Sequence, residues 1–200
     1  MKGLASTAGG WAGRRFNDPM TNVTNDSTTS PHPASGGAAA RAWHWTWARF
    51  DDLGVHALHD ALALRCRVFI LEQGPYQDPD DADKHAWHLL GRAQPDGPLL
   101  AVLRVVDPGV KYPEPSMGRV ATAAQARGTG LGRALIHEGM QRCRQVWPGH
   151  CVRISAQAHL QRFYAEQGFA TVSEPYLEDD IPHVEMLWSP QPPMTGAAAA

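Results

Sequence analysis

The sequence predicts a mixed α/β domain built on a mostly antiparallel sheet. Three observations carry this. Apolar runs of strand length outnumber helical patterns. Two of those runs are joined through Pro95-Asp96-Gly97-Pro98, a hairpin signal. A strand, a glycine turn and a long helix then follow one another at residues 116–147, the mark of a strand–helix unit.

Each element has its own local cause. Trp43, Trp45 and Trp47 alternate at period two, as on a half-buried strand. Asp51 and Asp52 stand where they would cap a helix with apolar positions Val55, Leu58, Leu62, Cys66 and Phe69. A Pro/Asp loop covers 74–83, and runs 86–93 and 99–106 form the hairpin. After a Pro-rich loop, 116–121 reads as a strand. Leu131, Leu135, Ile136, Met140, Cys143 and Trp147 define the long helix, which Pro148-Gly149 stops. Residues 151–156 are strand-like, and 159–167 form a short helix ended by Gly168. Two closing strands, 169–173 and 184–188, flank an acidic loop.

Composition bounds the function. Two hundred residues, 43% of them hydrophobic, suit one core. Lys plus Arg is 18 against 20 Asp plus Glu, a formal charge of -2. Such a balance argues against nucleic acid as an obligate partner. No apolar run is long enough to span a bilayer. Cys66, Cys143 and Cys151 are odd in number and lack CxxC spacing, so neither a disulfide framework nor a metal site is expected. Arg14-Arg15 is followed by no apolar export segment, and a cytoplasmic location is expected. Residues 1–41 are poor in large apolar groups and are expected to be a disordered extension. Residues 42–188 are expected to form the domain, and 189–200 a flexible tail.

The chemistry sits in Gln125-Ala126-Arg127-Gly128-Thr129-Gly130-Leu131-Gly132. Glycines let backbone N–H groups approach a ligand, and the helix start adds unpaired donors and partial positive charge. That combination suits a pyrophosphate, with Arg127 and Arg133 nearby. A P-loop is excluded because no Lys-Ser/Thr pair follows the glycines. A dinucleotide fingerprint is excluded because Arg133 stands in place of the third glycine. The remaining template is Q/R-x-x-G-x-G/A, filled by Gln125, Gly128 and Gly130.

Here the chain resembles the GNAT acyl-CoA N-acetyltransferases. Phe163-Tyr164-Ala165-Glu166-Gln167-Gly168-Phe169 is similar to the family's F-Y-x-x-x-G-F segment. Arg65-Cys66-Arg67-Val68-Phe69-Ile70-Leu71-Glu72-Gln73 resembles the R-x-x-V-F-x-x-E-Q segment of the ElaA-like branch. Pro75-Tyr76-Gln77-Asp78, Gly118-Arg119-Val120 and Ile181-Pro182-His183 are similar to that branch as well. The resemblance implies a twisted sheet with splayed central strands, flanked by helices. Acetyl-CoA would lie in the splay, against backbone near Val120 and Thr122. Its pyrophosphate would rest on Arg127, Gly128, Thr129, Gly130, Gly132 and Arg133. An amine of a small molecule or peptide would attack the thioester directly, with no metal, and a homodimer is one option for assembly.

Three side chains are candidates for proton transfer. Tyr164, with a reference pKa of about 10 against about 8.5 for a thiol, is placed to protonate the leaving thiolate; its alternative is core packing. Glu72 either lines the acceptor side or is a solvated helix end. His183 is either a base or a surface histidine. Arg119 reads as one half of a cross-strand salt bridge, with CoA or an acidic acceptor as alternatives. Two other functions stay open: a non-catalytic acyl-CoA-binding module, and an acyl-homoserine-lactone-synthase-like enzyme.

Overall fold

The computed structural model describes residues 42–74 and 77–190. The expected N-terminal extension, most of the expected tail and the Pro75-Tyr76 pair lie outside the described residues.

Strands β1 (His44–Arg49), β2 (Ala86–Arg92), β3 (Leu99–Val106) and β4 (Ser116–Thr122) make an antiparallel run. Helix α1 (Val55–Arg65) continues as a π-helical segment, Cys66–Glu72, and a short 3-10 helix, Asp81–His85, enters β2. Helix α2 (Leu131–Val146) follows β4. The remainder is β5 (Val152–Gln157), α3 (Gln161–Ala165), β6 (Ala170–Thr171), β7 (Tyr176–Glu178) and β8 (Ile181–Trp188). The sheet order is β1-β2-β3-β4-β5-β8-β6, with β7 on β8, and β4–β5 is the parallel pair.

Both faces of the sheet are covered at β2 and β3. Alternate residues Leu89, Leu103 and Val105 pack with Leu131, Leu135 and Ile136 of α2. Their neighbours Leu90 and Val102 pack with Ala61 and Leu64 of α1. This explains why β3 reads as a continuous apolar run: a strand buried on both faces shows no alternation. The expected apolar stripe of α2 is the buried one, from Leu131 to Cys143.

The structure corrects three local expectations. Asp51 and Asp52 do not cap α1; Gly54, at φ 77°, precedes it with no side-chain cap. The buried face of α1 is Ala61, Leu64 and Arg65, followed by Val68, while Val55 is 77% exposed. The reason is Arg65, which is wholly buried against Asp78 and Asp83. A paired charge thus occupies a core position that a hydrophobic pattern assigns to solvent. Finally, the acidic loop holds a hairpin. Asp179 and Asp180 both have positive φ (52° and 59°) between β7 and β8. Aspartate tolerates that region better than most side chains.

Candidate active site

Strands β4 and β5 pair only at Ser116–Arg153 and then part. Beyond that point β4 bonds β3 and β5 bonds β8, leaving a cleft between them. Its space is about 890 Å³, including the part open to solvent. Gly118, Arg119 and Val120 form one wall and residues 154–157 the other. The helical arm closes one end: Gln73 accepts a 3.1 Å hydrogen bond from Gln157.

β4 is bulged beside the cleft. Gly118 pairs with Arg104 and Ala121 with Val102, so Arg119 and Val120 together face Leu103. Such a bulge leaves the extra residue without a ladder partner. Arg119 takes φ 50°, which is unusual for a residue with a side chain.

The glycine turn leads from β4 into α2. Gly128 and Gly130 have φ 75° and 85°, and a Cβ on either would meet nothing within 4 Å. Their role is therefore conformational, and the space above them is open. Thr129 Oγ1 donates to the Ala126 carbonyl at 2.7 Å, tying the turn together. No side chain caps α2, so its first N–H groups are available to an anion. Arg127 donates to Glu72 and Arg133 to Glu166, each at 2.7 Å. The residues present thus fit a pyrophosphate.

Tyr164 and His183 both line the cleft. Tyr164 is 6% exposed, held edge-on by Phe163 and Phe169. Burial alone pushes its pKa up to about 12. His183 sits on β8 opposite Gln157, with Tyr176 stacked on it. Its Nδ1 lies 2.8 Å from the Ile181 carbonyl. A carbonyl only accepts, so Nδ1 carries the proton, and the neutral ring keeps a lone pair on Nε2. Next to it, Ser155 donates to Glu178 and lies 2.6 Å from the Tyr176 hydroxyl. Serine has one proton, so Tyr176 donates to Ser155. Burial would raise the Glu178 pKa, but the Ser155 bond and Lys111 outweigh it and hold it below the usual value.

The comparisons with known proteins agree with this geometry. Residues 96–190 match the model of the acetyltransferase (GNAT) domain. The UPF0039 protein sll0451 of Synechocystis sp. is 45% identical over 150 residues, covering 74% of this chain and 97% of that protein. Protein ElaA of Escherichia coli is 37% identical over 145 residues, covering 71% and 94%. The chain belongs to the GNAT acetyltransferase family, alongside ElaA. A crystal structure of an acyl-CoA N-acyltransferase from Pseudomonas aeruginosa has the GNAT fold seen here, with a TM-score of 0.69 and 41% identity, covering 74% of this chain and 100% of that one.

Within this GNAT cleft the sequence candidates divide. Tyr164, His183 and Val120 line it together. Gly128, Thr129, Gly130, Gly132 and Arg133 stand on the turn and the first residues of α2. Thr122 ends β4 opposite Ala101 and is not among the lining residues. Glu72 does not line the cleft either; its carboxylate is drawn to Arg127, on the glycine turn. Arg119 makes no cross-strand salt bridge. Its partners are Asp78 and Asp80, in the loop before β2. Sequence reasoning missed the Ser155–Tyr176–Glu178 group. The signal was faint: Val152, Ile154 and Ala156 are buried, and Ser155 is the polar residue between two of them.

Proposed function

We propose that this GNAT protein transfers an acetyl group from acetyl-CoA to a primary amine of a small molecule or peptide, without a metal and in the cytoplasm. The carrying observation is the cleft itself, where β4 leaves β5 with Tyr164 and His183 in its lining. The phosphates rest on the turn at 127–133, and the thioester carbonyl meets the bulge backbone at Arg119–Val120.

An alkylamine with a pKa of about 10.4 needs on the order of 4–5 kcal/mol to become neutral at pH 7. His183 Nε2 accepts that proton, with Nδ1 anchored on Ile181. The neutral amine adds to the carbonyl and the tetrahedral intermediate expels CoA thiolate; the second N–H proton, lost as the amide forms, returns through water to the Tyr164 oxygen after Tyr164 has protonated the thiolate. Carboxylates of Glu178 and Asp179 in the lining attract the incoming ammonium form.

Tyr164 then protonates the thiolate. A pKa of about 12 keeps the Tyr164 hydroxyl protonated until the thiolate leaves, so its proton is available at that step.

The test is calorimetry with acetyl-CoA, then a panel of amines followed by release of free CoA thiol. Tight binding with release for some amines supports the reading. Binding with no release for any amine favours the non-catalytic module. Release in H183Q at the wild-type rate removes His183 as the base.

A further inference from the structure

Arg119 is the strained residue of the cleft wall, and its side chain is tied down at two points. Nε donates to Asp78 at 2.6 Å and a terminal nitrogen donates to Asp80 at 2.9 Å. Both acids are themselves held from behind. Asp78 accepts two bonds from the wholly buried Arg65, and Asp80 accepts two from Arg104. Asp83 bridges Arg65 and Arg104. Three arginines thus meet three aspartates, drawn from α1, β3, β4 and the loop before β2. The Phe69 ring, 5.9 Å from the Arg119 guanidinium, completes the setting.

Charge balance argues against a ligand role for this arginine. Both of its acidic partners are closer than any incoming anion could come without displacing them. A left-handed backbone at a residue with a Cβ persists only where its surroundings over-determine it. Here the two ion pairs do so, at the bulge that lines the cleft.

We infer that Arg119 is a positioning residue: its ion pairs with Asp78 and Asp80 hold the β4 bulge in the shape that polarises the acyl carbonyl. The inference rests on the reading that acyl-CoA occupies this cleft. It assigns the acidic loop 77–85 a part in catalysis, although Asp80 is not in the cleft lining.

The test needs no acceptor. The probe is acetyl-CoA labelled with carbon-13 at the carbonyl, read by isotope-edited infrared spectroscopy, with CoA and acetyl-CoA affinities from calorimetry. In wild type the bound carbonyl stretch moves to lower frequency. In R119A the shift is lost and acetyl-CoA loses several-fold in affinity, while CoA stays within about twofold because the phosphate turn is untouched. In R119G the shift is also reduced, because both ion pairs are gone, though less than in R119A, because glycine takes positive φ without strain. In D80N, with Arg119 intact, the shift is reduced.

Equal shifts in all variants overturn the inference and make the ion pairs purely structural. A full shift in R119G overturns it too, because the bulge would then keep its shape without the ion pairs. Should R119A not fold, D80N and R119G decide: an unchanged D80N shift overturns the inference. Wild type that binds neither CoA nor acetyl-CoA overturns the underlying reading, and this inference with it.

Discussion

Glu72 accepts a 2.7 Å hydrogen bond from Arg127, so the end of the helical arm holds a cation of the phosphate turn. Both side chains are about two-fifths exposed, and an exposed pair contributes at most about 1 kcal/mol. On the proposed reading, an incoming pyrophosphate would compete with Glu72 for Arg127. E72Q removes the competitor and a like charge, so CoA affinity rises by roughly two- to fivefold. Calorimetry with CoA at low salt checks this. Unchanged affinity means that Arg127 does not meet the phosphates.

Gly130 separates backbone shape from charge. G130A puts a Cβ at φ 85°, which costs about 1–2 kcal/mol, yet the open space leaves the site clear. G130D adds a carboxylate where, on the proposed reading, the phosphates would rest. Both proteins fold with a modestly lowered Tm. G130A keeps most CoA binding and G130D loses it. Equal affinity in G130D and G130A places the phosphates elsewhere.

Y164F keeps the ring contacts with Phe163 and Phe169 and removes the hydroxyl. The expected loss in kcat is about 100-fold, typical of a missing general acid, with CoA affinity unchanged. With a pKa of about 12, the hydroxyl stays neutral across the working range. The wild-type rate thus shows no falling limb from Tyr164 below about pH 11. Single-turnover rates equal in both proteins return Tyr164 to a packing role.

Asp83 makes the fold acid-sensitive in a defined window. Burial raises its pKa, but the Arg65 bond and charge, then Arg104, outweigh this and hold it at about 2, against 3.8 unfolded. The folded value is the lower one, so the contribution is complete above pH 4 and is lost as pH falls toward 2. Denaturant midpoints measured from pH 6 to pH 2 should be level at first and then fall. D83N is destabilised at pH 7, by about 3–5 kcal/mol, the scale for a buried ion pair deprived of one partner. A wild-type midpoint that is flat to pH 2 contradicts this.

The legible parts of the sequence were those where one physical cause dominates. Helix α2 was readable because its apolar stripe and its Pro148-Gly149 stop agree. The glycine turn was readable because three glycines at 128, 130 and 132 exceed what a bare turn needs. Helix α1 misled because Arg65 is buried by partners 13 and 18 residues away, which no local period reveals. Glu72 misled for a similar reason: Arg127 is 55 residues distant. Long-range charge pairing is the information that a hydrophobic pattern lacks.

The lone Ser116–Arg153 pair has a mechanical consequence. It divides the backbone hydrogen bonds of the sheet into two sets, one from β1 to β4 and one from β5 to β8. Side chains beneath α2 join them, since Leu103 and Ile154 share one core. One backbone pair and a shared core thus join the two sets, and a molecule lying between them would add to that joining. Amide exchange along residues 117–122 and 154–157 would slow together when that molecule is present. The seam where β4 leaves β5 is also where the sheet carries the fewest backbone pairings between adjacent strands of its central part.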